Sequence, residues 1–194
     1  MCIRDRQQIL RDLCCVFPEG KTTCIRGRSG CGKTTLIRLL LGLDIPDKGK
    51  IEGISDRKIS AVFQEDRLCE NLSAASNIRL VCTETITDRE LEEAYKAVAL
   101  TEIWQKPVRE LSGGMRRRVS ILRALLAESD CVIMDEPLRG LDEKTRAKTI
   151  DYILKKTEGK TLIFVTHEEK EAVWLKADSC LLYTSDAADE ARSV

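Results

Sequence analysis

Gly27-Arg-Ser-Gly-Cys-Gly-Lys-Thr34 is the stretch that decides the fold. It fits the pattern G-x-x-x-x-G-K-[ST], and its setting fits as well. Thr22-Thr-Cys-Ile-Arg26 before it is a short β-prone run. Lys33 to Leu41 after it reads as a helix, with Leu36, Ile37, Leu40 and Leu41 on one face. A strand, a glycine-rich turn and a helix in that order form an anion nest. Glycines let the backbone approach phosphate, successive N–H groups point inward, and the helix adds its positive end. Lys33 has the reach for β- and γ-phosphates, and Thr34 offers a hydroxyl to Mg²⁺. Without that context, the loop is equally a turn that merely joins strand to helix.

Further apolar runs follow. Ile59 to Phe63 is a strand candidate closed by Gln64, and Cys131-Val-Ile-Met134 and Thr161-Leu-Ile-Phe-Val165 are continuous runs of strand length. Such runs suit a parallel sheet covered on both faces. Residues 142–156 supply the helical crossover between the last two. From Asp66 to about Ala127 the chain reads as mainly helical. One helix there opens on a capping box, Thr87-Asp-Arg-Glu90, and continues with Leu91, Ala94, Tyr95 and Val98 at helical spacing. The fold class expected is α/β: a P-loop NTPase core with a mainly parallel sheet and an inserted helical subdomain at about 66–127.

Asp135 and Glu136 end a buried strand, the edge where ligands bind in a parallel sheet. Asp135 suits a Mg²⁺ role, and Glu136 is placed to orient an attacking water or take its proton. An acidic strand end before a helix started by Pro137 is the structural alternative. His167 is the only histidine in the chain and directly follows the strand ending Val165-Thr166. A donor there stabilises charge on a transferring phosphate, whereas a lone histidine elsewhere is usually a satisfied polar residue. Leu111-Ser-Gly-Gly114 precedes a basic helix, 115–126, with Ser112 as a good N-cap. Arg116-Arg117-Arg118 reads as the solvated face of that amphipathic helix rather than as a nucleic-acid site.

Composition bounds the remaining choices. The chain has 194 residues with 32 basic and 32 acidic side chains, so no net field draws it to nucleic acid or anionic lipid. No apolar run reaches the roughly 18 residues of a membrane span. The nine cysteines show no repeated pair spacing of a metal site and point to a reducing cytosol. Both ends are read as foreign. Residues 1–6 and 180–194 resemble translated sequencing-adapter sequence, so 7–179 is expected to be an internal fragment of one domain.

In this order, these motifs resemble the ABC-type ATPase family. Gly27–Thr35 is similar to its Walker A loop, with Gly27, Ser29, Gly30, Cys31, Gly32, Lys33, Thr34 and Thr35 implied as nucleotide ligands. Gln64 resembles the Q-loop glutamine, implied at Mg²⁺ and in catalysis. Leu111-Ser112-Gly113-Gly114 resembles the signature, continuing through Arg118-Val-Ser-Ile-Leu-Arg123-Ala-Leu, Asp135-Glu136-Pro137 Walker B with the catalytic glutamate, Gly140-Leu-Asp142 the D-loop, and His167 the switch histidine. The resemblance implies ATP and Mg²⁺ as ligands and a head-to-tail homodimer with two ATPs sandwiched. Each site then takes Ser112–Gly114 from the other protomer.

Val62-Phe-Gln-Glu-Asp-Arg-Leu68 and Met134-Asp-Glu-Pro-Leu-Arg-Gly-Leu-Asp142 look like importer ATPases of the nitrate, sulfonate and taurine group. That implies a cytoplasmic subunit held to the membrane by permease subunits, and a substrate-binding protein that delivers solute. A non-transport ABC ATPase and an exporter subunit are the alternatives. Three positions depart from the pattern. Met115 stands for a common glutamine and Arg139 for a small residue. The aromatic residue that stacks on adenine is expected upstream of Gln7, where the adapter-like stretch stands.

Overall fold

The computed structural model describes residue 10 and residues 13–54, 56–101 and 103–183, with side chains as far as Cys180. The two stretches read as foreign therefore lie outside it, apart from Cys180–Tyr183.

Five parallel strands form the sheet: β1 (Thr22–Gly27), β2 (Ile59–Val62), β3 (Cys131–Asp135), β4 (Thr161–Val165) and β5 (Ser179–Tyr183). Their spatial order is β2-β3-β4-β1-β5. The alternation of side chains along each strand divides the core in two. Ile25, Ile133, Ile163 and Val165 pack with Leu36, Ile37 and Leu40 of α1 (Lys33–Leu40) on one face. Cys24, Val132, Met134, Leu162 and Phe164 meet the other helices on the opposite face. Both faces are covered, which is why β3 and β4 read as unbroken apolar runs: every residue of both is buried.

The helical insertion comprises α2 (Ala74–Arg79), α3 (Asp88–Ala97), a single 3-10 turn (Val108–Glu110) and α4 (Gly113–Leu126). The capping box forms as the sequence predicts. Glu90 N–H donates to Thr87 Oγ1 at 3.3 Å, and Thr87 N–H to Glu90 Oε2 at 2.8 Å. Leu91, Ala94, Tyr95 and Val98 are buried. Asn77, fully buried, accepts from Cys69 N–H at 2.8 Å and donates to Cys69 and Ser73 carbonyls at 3.0 Å each. It satisfies a loop backbone that no ladder reaches. After β3, α5 (Glu143–Lys156) is the expected crossover, and α6 (Glu169–Trp174) follows β4.

One expectation changes, that for the arginines of α4. Beside it, the backbone of β5 pairs with β1 from Thr23↔Ser179 to Gly27↔Tyr183. The outer edge of β1 offers unpaired N–H and C=O groups, and the next extended segment takes them. The arginines of α4 do not form a solvated face. Arg117 is 5% exposed and Arg118 8%. Arg118 Nη1 donates to the carbonyls of Val98 at 2.9 Å and Ala99 at 2.7 Å, closing the C-terminus of α3.

Candidate functional site

The carboxyl ends of β1, β3 and β4 lie side by side, and β4 sits between the other two. That order places Thr166-His167 between the loop after Gly27 and the Asp135-Glu136 pair. Gly30 (φ 80°) and Gly32 (φ 105°) take the left-handed backbone that wraps the loop, a conformation costly for any residue with a Cβ. Lys33 is 7% exposed, and its Nζ donates to the carbonyls of Gly27 and Arg28 at 2.8 Å each. The ammonium is thus held inside the loop by the loop's own backbone.

Thr34 Oγ1 donates to Asp135 Oδ2 at 3.4 Å, linking the start of α1 to the end of β3. Burial, and then the neighbouring Glu136 carboxylate, push the pKa of Asp135 above the usual range, while Thr34, Arg117 and Lys33 oppose the rise. Glu136 has φ 48°, a left-handed backbone at a residue with a Cβ. Such a conformation costs about 1–3 kcal/mol and persists only where its surroundings impose it. Here Glu136 N–H is tied to Val165 O at 2.9 Å. The carboxylate is held from both sides, with His167 Nε2 2.7 Å from Oε1 and Arg139 Nη1 3.1 Å from Oε2.

Gln64, also expected at the site, is exposed and lies two positions past β2. Ser112 Oγ accepts from Met115 N–H at 3.3 Å and caps α4, as expected. Gly114 packs against the D-loop: a Cβ built there lies 3.5 Å from Gly140 O and 3.8 Å from Leu141 Cδ2. Asp142 Oδ1 accepts from Thr145 N–H at 3.0 Å, capping α5, and the Thr145 hydrogen bonds hold its pKa below the ordinary value. Among the described residues, no hydrogen bond joins Ser112–Gly114 to Gly27–Thr35. Within one chain, then, the loop, Asp135, Glu136 and His167 converge, while the signature stands apart.

Arg117 Nη2 donates to the carbonyls of Asp135 and Glu136, although its charge reads as surface. Three consecutive helical positions fan over about 200°, which a helix with an apolar stripe of about 100° can still leave to solvent, so the sequence holds no signal of its burial.

Comparison with known proteins shows the family. The ABC transporter family model matches residues 10–139. The taurine import ATP-binding protein TauB of Pseudomonas aeruginosa (strain UCBPP-PA14) is 35% identical, over 89% of this chain and 71% of that protein. TauB of Roseobacter denitrificans is 36% identical, over 88% and 69%. Among solved structures, the dimeric post-hydrolysis state of the ATP-binding cassette MJ0796 bound to ADP and Pi superposes with a TM-score of 0.78 at 28% identity, covering 91% of this chain and 86% of that one. A bacterial Atm1-family ABC exporter with ATP bound gives 0.75 at 23% identity, covering 85% and 32%, and shows the fold alone. An ATP-binding cassette is the class that this fold and site define. The chain belongs to the ABC transporter family, as a subunit of the ATPase class that drives such transporters.

Proposed function

We propose that the chain hydrolyses ATP to drive an importer of the nitrate, sulfonate and taurine type, with zwitterionic taurine as the model solute. The observation that carries the hydrolytic part is the Glu136 carboxylate, held between His167 and Arg139 at the strand edge that bears the phosphate loop. The import direction and solute class rest on the likeness to taurine import ATP-binding proteins.

The geometry supports these roles. The loop N–H groups from Gly27 to Thr35, with Ser29, Gly30, Cys31 and Gly32 between, receive phosphate oxygens. Lys33 exchanges two backbone carbonyls for those oxygens, a stronger, charge-assisted partner. Glu136 orients the attacking water and accepts its proton, and His167 holds the carboxylate in line. Thr34, Asp135 and Gln64 would hold Mg²⁺, which neutralises charge on the transferred phosphoryl group. The donors suit that hard cation: they are oxygens, and a cation relieves the repulsion that raises the pKa of Asp135.

The separation of Ser112–Gly114 from the loop supports a head-to-tail homodimer in which the partner's signature, with Asp142 nearby, closes each site. Among the described residues no helix is long and apolar enough to cross a membrane. The likeness to import ATP-binding proteins supports attachment to the inner membrane face through permease subunits, with a substrate-binding protein supplying solute. The test is to reconstitute the chain with the permease encoded beside its gene and follow ATP-dependent uptake of labelled taurine. Uptake lost in Glu136→Gln supports the reading. Uptake without ATP, or ATP turnover untouched by Glu136→Gln, overturns it.

A further inference from the structure

One guanidinium joins three segments of the site. Arg117 Nη1 donates to Phe63 O at 2.5 Å and to Asp66 Oδ1 at 3.3 Å, on either side of Gln64. Its Nη2 donates to Glu136 O at 2.6 Å and to Asp135 O. The same helix reinforces the first grip. Arg123 Nη1 donates to Arg67 O at 2.8 Å and Nη2 to Asp66 O at 3.2 Å, while Ser120 Oγ is 3.5 Å from Asp66 Oδ1. The 63–67 segment is thus pinned to α4, the helix that opens on Ser112.

We infer that Arg117 is a positioning residue for hydrolysis, holding Glu136 in its left-handed backbone and fixing it to the segment that carries Gln64. The inference rests on the hydrolytic role proposed for Glu136. A planar fork suits such a junction, because four carbonyl or carboxylate oxygens from two directions need donors in fixed divergence, which a single ammonium lacks. The strained φ of 48° at Glu136 needs an outside constraint, and Arg117 grips the carbonyls on both sides of that Cα. Movement of the Gln64 segment therefore reaches the base through one side chain. A displacement of about 1 Å at a reacting group costs on the order of 10²-fold in rate.

Arg117→Lys keeps the buried charge beside Asp66 and removes the fork. Measured on the full chain, its ATPase kcat should fall about 10- to 100-fold, while ATP affinity stays within about twofold because the phosphate loop makes no contact with Arg117. The same substitution placed in Glu136→Gln should cost little more, since it acts through Glu136. Parent kcat in a folded Arg117→Lys protein overturns the inference. So does equal loss of ATP affinity and kcat, or a full-size second loss in the Glu136→Gln background. Glu136→Gln alone with parent turnover fails the base assignment instead and is read separately.

Discussion

His167 Nε2 lies 2.7 Å from Glu136 Oε1, and this contact joins the ends of the neighbouring strands β4 and β3. The sheet order produces it. Asp135 is in register with Val165, so the residues just past each strand are brought face to face. The ring nitrogen meets one carboxylate oxygen, and the exposed Arg139 guanidinium, 3.1 Å away, meets the other.

Glu136→Gln should lower ATP turnover by roughly 10²-fold or more, because the amide cannot accept the proton. ATP binding should persist, since no hydrogen bond joins Glu136 to the loop among the described residues. Equilibrium binding of a fluorescent ATP analogue and steady-state turnover, measured together, check both halves. Parent turnover would remove Glu136 from its role.

Lys33→Ala should lose nucleotide binding rather than turnover alone. Its ammonium is buried within the loop and satisfied by two carbonyls, so it is already positioned where phosphate oxygens arrive. Charge-assisted hydrogen bonds contribute about 1.5–3 kcal/mol each, or roughly 10- to 150-fold in affinity for one. Calorimetric titration with ATP reads this directly. Parent affinity in a folded variant would show that the loop binds by its backbone alone.

How much of this is legible in the sequence depends on what each signal measures. β1, β3, β4 and the crossover α5 appear at their predicted places within a residue or so, because a sheet buried on both faces writes itself as apolar runs. The capping box at Thr87 is a local device and forms locally. The short helices α2 and α6, six residues each, lack the turns needed for a clear period. Arg117 and Arg118 read as solvated because charge implies exposure until its partners are known. Those partners are backbone carbonyls and, for Arg117, the distant Asp66 carboxylate, which no residue pattern records. The extent of β5 is hidden because residues from Cys180 on resemble adapter sequence and are set aside in the sequence reading, whereas the backbone pairs them with the free edge of β1.

Gly114→Ala should leave the fold intact, since an added Cβ meets Gly140 O and Leu141 Cδ2 only at ordinary contact distances of 3.5 and 3.8 Å. Gly114→Asp should fold as well but fail to hydrolyse ATP, because it sets a carboxylate against the partner's phosphate in the closed dimer. Monomeric ATP binding should survive. Sedimentation with ATP in the Glu136→Gln background separates the cases: a dimer that persists with Gly114→Asp would exclude the signature from the interface.

Arg139→Ser should change little in the melting temperature, because the guanidinium is 66% exposed and water screens its pairing with Glu136. Its effect should fall on turnover, since it removes one of the two groups that restrain the carboxylate. High salt should mimic the substitution in the parent protein and have less effect in the variant. A salt response identical in both proteins would remove Arg139 from the site.

Glu171→Gln should raise the melting temperature above that of the parent at pH 8 and leave it nearly unchanged at pH 4. Glu171 is 4% exposed, accepts from Thr166 Oγ1 at 2.5 Å, and has a pKa pushed upward first by burial and then, against the Thr166 hydrogen bond, by Glu168. A carboxyl whose folded pKa is raised favours the fold most when protonated. Its contribution is therefore complete below the ordinary glutamate range and is lost as pH rises through the folded value. Glutamine, of the same shape and always neutral, keeps a carbonyl acceptor for Thr166 and escapes that loss. Each kcal/mol recovered raises the melting temperature by about 2–4 °C in a chain of this size. Melting curves of parent and variant between pH 4 and pH 8 should diverge as pH rises and meet at the acid end. A gap of constant size would assign the effect to packing rather than to the buried charge.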